Sequence, residues 1–367
     1  MNILFLRSSR GMGGIERQLL WHARRLHDAG WRVTLLCLYR GQGQHPLAQA
    51  ARAAGLTAFT LADPAVWSPR PARALARWVE ELRPDILHSA DYRSDALAWR
   101  LRDRFFWVAE TQGHTNESWR MGLWNRLDVR ALRGADAVAP VSAAWETWLA
   151  ARGVAPSRMT ELANSRAILP PPPVPPPATL PEPGPHLLYA GRLSPEKGAD
   201  LLLDVWPEVR GRWPRARLWL LGAMAAGGRY RRGLLRQMRQ PGVQWLGHQP
   251  DIRPWLQAVD VVVAPSRREA WGMTVFEALG LGARVVAARV GGLPEVCRGA
   301  PHARLVSPGS AKALLAGLEA ALSPEFPRGA ALGRAYCAQP RFDPHHRHQI
   351  LLEIYRGSAA STSSGVR

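Results

Sequence analysis

The sequence predicts an α/β protein built from two doubly wound parallel-sheet domains of the Rossmann type that face a central cleft. Three observations carry this reading. Short apolar runs alternate with segments of helical spacing through both halves of the chain. A proline-dominated stretch interrupts the pattern near the middle, and a fresh β–α–β series starts directly after it. The length of 367 residues, 47% of them hydrophobic, supplies enough material for two cores of ordinary size.

The elements follow in order. Asn2 to Arg7 reads as a strand and Ser8 to Gly14 as a glycine-rich turn. Ile15, Leu19, Leu20, Ala23 and Leu26 recur at helical spacing, and Gly30 stops that helix. Trp31 to Leu38 is the next strand, and Ala72 to Leu82 is a helix ended by Pro84. Short strands are expected at Asp85 to His88, Phe106 to Glu110 and Ala135 to Val141. In the second half, strands are expected at His186 to Ala190, Ala216 to Gly222, within Gly242 to Gly247, at Val259 to Ala264 and at Ala283 to Ala287. Helices are expected at Asp200 to Arg212, Met273 to Gly280 and Ala311 to Ala321. The domain plan is therefore 1–168 as the first domain, 169–185 as a Pro-rich linker and 186–342 as the second domain. Residues 343–357 form a C-terminal helix able to pack back on the first domain, and the Gly/Ser/Thr-rich 358–367 is expected to be a disordered tail.

Composition narrows the function. Basic residues exceed acidic ones by 48 to 29, a net charge of +19, which suits an anionic partner such as a phosphorylated small molecule or an anionic lipid surface. The basic residues read as scattered along the chain, with no nucleic-acid motif, so nucleic acid is not an expected partner. Met1 to Arg7 lacks a basic region followed by an apolar one, so it reads as a strand and not a secretory leader. No apolar run is long enough to span a bilayer. Cys37, Cys297 and Cys337 show no metal-ligand spacing and read as reduced core thiols. The expected location is cytoplasmic, with peripheral contact at the inner face of the membrane. Nearly all cations are arginine, and the two lysines are Lys197 and Lys312. A chain that uses Arg almost everywhere keeps Lys where a compact ammonium matters.

Lys197 falls in the first motif, Tyr189-Ala190-Gly191-Arg192-Leu193-Ser194-Pro195-Glu196-Lys197-Gly198. A strand ends at Gly191, and two cations follow in the loop before a helix, where a pyrophosphate can be gripped by a guanidinium fork and a point charge. The ordinary alternative is a solvated basic loop. The second motif runs from Val261-Val262-Val263-Ala264-Pro265-Ser266 through Glu269-Ala270-Trp271-Gly272-Met273-Thr274 to Glu277. A buried strand leads into a loop with Glu269, and a helix then begins near Gly272. Its first amides have no intrahelical acceptor and suit a phosphate. Gly272 leaves that approach open. Glu277 lies just over one turn inside the helix, and Glu269 lies before it.

These residues resemble the retaining glycosyltransferases of the GT-B fold called family 4, or glycosyl transferases group 1. That family carries a G-R-x-x-x-x-K-G loop and an E-x(7)-E element, matched here by Arg192, Lys197, Glu269 and Glu277. The similarity continues through Gly247, Pro265-Ser266 and Val290-Gly291-Gly292-Leu293-Pro294-Glu295-Val296. In the first half Gly13-Gly14-Ile15-Glu16 resembles the family's first glycine loop, and Thr111 to Ser142 resembles its acceptor-side segment. The resemblance implies an acceptor-side first domain and a second domain that takes a UDP- or GDP-linked sugar. Arg192, Lys197 and Glu269 would be catalytic: the two cations would hold the diphosphate and offset the charge that builds as the glycosidic bond breaks, and Glu269 would hold the sugar. Gly13, Gly14, Gly191, Gly272, Met273, Thr274 and Glu277 would bind the donor, with Glu277 on the ribose. No D-x-D occurs, so no metal and no other cofactor is expected. The implied acceptor is a glycan or glycolipid precursor, such as that of a lipopolysaccharide or exopolysaccharide, and configuration would be retained.

Two departures touch the acceptor side. Gln112 stands where many relatives carry the His of a T-x-H-G segment, and His114 follows two residues later. Ala90 stands where relatives similar to Leu87-His88-Ser89-Ala90 often have a second His. Glu16, His88, Gln112 and His114 are the acceptor-side candidates, although a single histidine in such a place is ordinarily structural. The departures also leave open a non-catalytic protein of the same fold that keeps a nucleotide-sugar pocket.

Overall fold

The computed structural model describes residues 1–9, 11–63, 68–114, 119–165, 180, 184–224 and 227–363. Most of the expected linker at 169–185 and the last four residues of the expected tail lie outside them. Two compact units are present: the first takes in the strands before the linker together with the C-terminal helix, and the second takes in the strands after it.

In the first unit, β1 (Asn2–Ser8), β2 (Arg32–Tyr39), β3 (Thr57–Ala62), β4 (Ile86–Ser89), β5 (Phe106–Thr111) and β6 (Ala137–Pro140) form one sheet in the order β3-β2-β1-β4-β5-β6. Every pairing is parallel, with Phe5 lying between Leu35 and His88. The residues of β1 and β2 are buried almost throughout, as expected of central strands covered by helices on both faces. The core is filled by Ile3, Phe5, Leu19, Leu26, Leu35 and Ile86, and by Leu351 and Tyr355 of the helix Pro344–Ser363. That helix runs further than the expected 343–357, so residues 358–363 of the expected disordered tail are helical instead. Its anchored turns provide a nucleus from which more turns propagate at low cost, and Ser358 Oγ donates to Tyr355 O at 2.6 Å.

The second unit repeats the plan with β7 (His186–Ala190), β8 (Arg217–Leu221), β9 (Val243–Trp245), β10 (Val261–Ala264), β11 (Arg284–Ala288) and β12 (Ala303–Val306), in the order β12-β11-β10-β7-β8-β9. All pairs are again parallel. Read from β9, this is the Rossmann order 3-2-1-4-5-6. The core gathers Leu187, Leu202, Trp206, Leu218, Val261, Val263 and Leu318. The strand order reverses between β7 and β10, which stay parallel, and ligands of such sheets bind at the strand ends beside that point.

All three cysteines are free thiols, and burial pushes Cys37 up to about 12. Among the described residues no helix is long and apolar enough to cross a membrane.

Candidate functional site

Both sequence motifs of the second unit leave the sheet at its reversal point. The first follows β7, where Gly191 N donates to Leu221 O at 2.9 Å. Gly222 closes over this turn so tightly that a Cβ would sit 1.9 Å from Gly191 O. A short 3₁₀ turn, Pro195–Lys197, then leads to Gly198 in the left-handed region (φ 71°), where the helix Ala199–Arg212 starts. A Cβ on Gly198 would lie 2.1 Å from Pro265 O. Glycine is required there both for φ and for contact with the second motif.

That second motif follows β10 and is tied to the first by backbone and side chain. The amides of Arg267 and Arg268 donate to Glu196 O at 2.7 and 3.1 Å. The Arg267 guanidinium grips both Asp200 oxygens at 2.9 and 2.8 Å. Lys197 Nζ meets Glu269 Oε2 at 2.5 Å, and neither side chain is fully exposed. Gly272, with φ 103°, caps the helix Met273–Gly280, and a Cβ placed on it would lie 3.6 Å from Glu269 Cγ. The lysine, the glutamate and the start of the helix are thus brought together. Behind them, a Cβ on Gly291 would fall 1.6 Å from Glu269 O, and one on Gly292 would fall 2.3 Å from Ala270 O. Gly292 N donates to Glu269 O at 3.2 Å, so the glycine pair holds the Glu269 loop by its backbone.

Arg192 is placed differently. Its guanidinium bonds Glu196 at 2.8 Å, and its carbonyl accepts from the Tyr189 hydroxyl at 2.6 Å. It therefore lies in the same loop as Lys197 but reaches a different carboxylate. Met273 and Thr274 form the first helical turn, and Glu277 lies one turn in, within electrostatic reach of Arg253.

The first unit carries the other candidates. Gly13 precedes the helix Gly14–Asp28, and its amide donates to Glu16 Oε2 at 2.8 Å. Glu16 Oε1 takes Arg7 at 2.8–2.9 Å. Glu16, expected on the acceptor side, thus spends one oxygen on the Gly13 amide at the helix start and the other in an ion pair with Arg7. Burial opposes its ionisation, but Arg7 and the amide bonds hold its carboxyl below the ordinary value. His88 is interior: Nδ1 is 2.6 Å from the Tyr355 hydroxyl and Nε2 is 3.4 Å from Glu110. Gln112 is wired at both ends of its amide, donating to Glu110 at 2.6 Å and accepting from Asn164 at 3.1 Å. In the structure these two residues therefore hold internal networks.

His114, in the loop after β5, keeps an arrangement that can do chemistry. Its Nε2 is 2.5 Å from Asp128 Oδ2, and its ring meets Trp145 and Trp148 edge-on at 5.1 and 5.4 Å. Asp128 also acts on Asp95, whose carboxyl is raised well above its usual range by burial and by the Asp128 charge. Ser89 Oγ donates to Asp95 at 2.5 Å. Sequence reasoning missed Asp95 and Asp128 because their partners are distant in the chain. It also missed the ion pair between Asp200, just past the first motif, and Arg267, inside the second.

Comparison with known proteins agrees with this architecture. The profile described as Glycosyl transferases group 1 matches residues 184–323, and that described as Glycosyl transferase 4-like domain matches 13–165. A D-inositol 3-phosphate glycosyltransferase of Segniliparus rotundus is 34% identical over 180 residues, covering 46% of this chain and 39% of that protein. Another of the same name, from Xylanimonas cellulosilytica, is 33% identical over 200 residues, covering 50% and 47%. The chain thus aligns with less than half the length of these relatives. Among solved structures, a sucrose-phosphate synthase from Thermosynechococcus elongatus superposes with a TM-score of 0.77 at 20% identity, covering 98% of this chain and 100% of that one. The Anabaena protein Alr3699/HepE, solved in complex with UDP and glucose, superposes with a TM-score of 0.73 at 20% identity over the full length of both chains. At such identities these likenesses show the fold.

Proposed function

Since the chain belongs to the glycosyl transferases of group 1, we propose that it moves a sugar from a UDP- or GDP-linked donor to a hydroxyl of a glycan or glycolipid precursor, with retention of configuration. The acceptor fits the lipopolysaccharide or exopolysaccharide class, met at the inner face of the cytoplasmic membrane. The observation that carries the reading is the Lys197–Glu269 pair set against the Gly272 cap of the helix Met273–Gly280.

In this reading the donor diphosphate lies against the first helical turn, whose amides and positive dipole end favour an anion. The Lys197 ammonium swings from Glu269 to the phosphate oxygens, and Arg192 adds a second cation. Glu269 is thereby released to accept hydrogen bonds from the sugar, and Glu277 does so from the ribose. The bond between C1 and the phosphate oxygen breaks, and the acceptor oxygen bonds C1 on the same face. The acceptor proton passes to the leaving phosphate. The cations offset the charge that develops on that phosphate. His114, oriented by Asp128, is the best-placed acceptor-side group of the first unit.

A thermal-shift panel tests the donor site. A nucleoside diphosphate or its sugar at 100 times its Kd should add about 2.7 kcal/mol to stability. The reading fails if no uridine or guanosine diphosphate raises the melting temperature. Turnover should persist in EDTA, because the charge on the leaving group is met by Arg192 and Lys197. Activity lost in EDTA and restored by Mg²⁺ or Mn²⁺ would remove the metal-independent part of the proposal. Gly291→Ala should displace the Glu269 loop, since its Cβ collides with Glu269 O and its φ is +51°. The expected outcome is a folded protein whose donor-induced shift is largely lost, and a full shift would contradict it.

A further inference from the structure

The arginines are not evenly scattered. No Asp or Glu occurs from Val209 to Pro250, a segment that holds nine arginines. Its second half holds the helix Gly228–Gln237 and the edge strand β9. The helix is anchored by its inward face: Leu234 is buried, the Tyr230 hydroxyl donates to Asp200 at 3.0 Å, and Gln237 donates to Asp204 at 2.5 Å. At 100° per residue, Arg229, Arg232 and Arg236 fall on the opposite side. Arg239, just past the helix end, continues the row, and all four are exposed. Leu235 and, on β9, Trp245 are also exposed, at 36% and 37%. Like charges spaced three and four residues apart destabilise a helix, and no acid of the segment offsets them.

We propose that this arginine face of the second unit is a docking surface for an anionic lipid bilayer. The charge is complementary to such a surface, and arginine fits phosphate headgroups bidentately. Leu235, exposed on the same helix, supplies an apolar group that settles at the headgroup boundary. The inference goes beyond the transfer reaction: it places the donor-side unit on the surface from which a lipid-linked acceptor would be drawn.

The test is flotation with vesicles of phosphatidylcholine alone and of phosphatidylcholine with about 30% phosphatidylglycerol, at several salt concentrations. Binding is expected with the anionic vesicles only, and should weaken as salt rises. Each arginine near the surface contributes about fivefold in affinity. Replacing Arg229, Arg232, Arg236 and Arg239 together by Gln should therefore weaken binding about 600-fold. A control carrying Arg70→Gln, Arg73→Gln, Arg77→Gln and Arg100→Gln removes the same charge from exposed positions of the first unit and should bind nearly as wild type. Both variants should keep the wild-type melting temperature. A donor-induced shift retained in the four-Gln face variant would show that loss of docking is independent of the donor site. Equal loss in both variants would reduce the effect to net charge and overturn the proposal, as would no binding by the wild type near 0.15 M salt. Tighter binding to a random oligonucleotide through the same four arginines would also overturn it, by assigning the face to nucleic acid.

Discussion

Lys197→Ala is expected to remove most of the donor-induced thermal shift and nearly all sugar transfer while the protein stays folded. A charge-assisted contact to phosphate is worth roughly 1.5–3 kcal/mol, so donor affinity should fall by one to two orders of magnitude. Removing a group that stabilises developing charge typically costs a further 10²–10³ in turnover. The local geometry sharpens the effect. With the ammonium gone, Glu269 loses the partner now 2.5 Å away and remains as an uncompensated anion beside Gly272. It would then repel the diphosphate. Lys197→Arg should rescue only in part, because a broad planar fork cannot stand where a compact ammonium does. Glu269→Gln separates the two roles: it should leave the shift with a free nucleoside diphosphate intact, because the cation is unbound, while transfer falls. Isothermal titration with the diphosphate and turnover with the sugar donor check all three variants. Wild-type affinity in Lys197→Ala would end the assignment of the site.

How far the fold could be read depended on where each strand sits. Val261–Ala264 is central, buried and wholly apolar, and it is plain in the sequence. The edge strands β3 and β12 went unread because their exposure breaks the apolar pattern: Thr57 and Ala62 face solvent in one, and Arg304 does in the other. The helix Pro46–Ala53 is short and alanine-rich, and its cap is His45, whose ring accepts from Leu47 N. A histidine in that role gives no recognisable start signal. At the site, the residue types were legible but the joins were not. Lys197 and Glu269 are 72 positions apart, and Gly198 meets Pro265 across a contact that neither motif announces alone. The spacing Gly13-x-x-Glu16 could have been read as a cap. The family resemblance drew it toward the acceptor instead.

Arg347→Met is expected to be the most destabilising single change in the first unit. Arg347 rides on the C-terminal helix, 5% exposed, and places its guanidinium 2.7 Å from the equally buried Glu110. Removing one partner of such a pair leaves a charge without compensation in the core, at a cost of about 3–5 kcal/mol. The double change with Glu110→Gln should cost less than the single one, because no charge is then stranded. Proton linkage supplies a second readout. Burial works to raise the Glu110 carboxyl, but Arg347 and His88 hold it well below the ordinary value. A depressed carboxylate stabilises the fold above its unfolded pKa of about 4.3, and that stability is lost as the pH falls below it. Burial, His348, Arg347 and His88 keep His22 well below its usual range, and burial with Arg25 lowers His348. The unfolded chain protonates both below about pH 6.5, so the wild type should begin to lose stability there. In Arg347→Met the burial of Glu110 is no longer opposed by the guanidinium, and its carboxyl moves upward. A raised carboxyl binds its proton more tightly in the folded state, so this contribution grows as the pH falls. The deficit of the variant, measured by urea unfolding, should therefore be largest near neutral pH and should shrink on acidification. A deficit that widened with acid would mean that the guanidinium is not what holds Glu110 ionised inside the core.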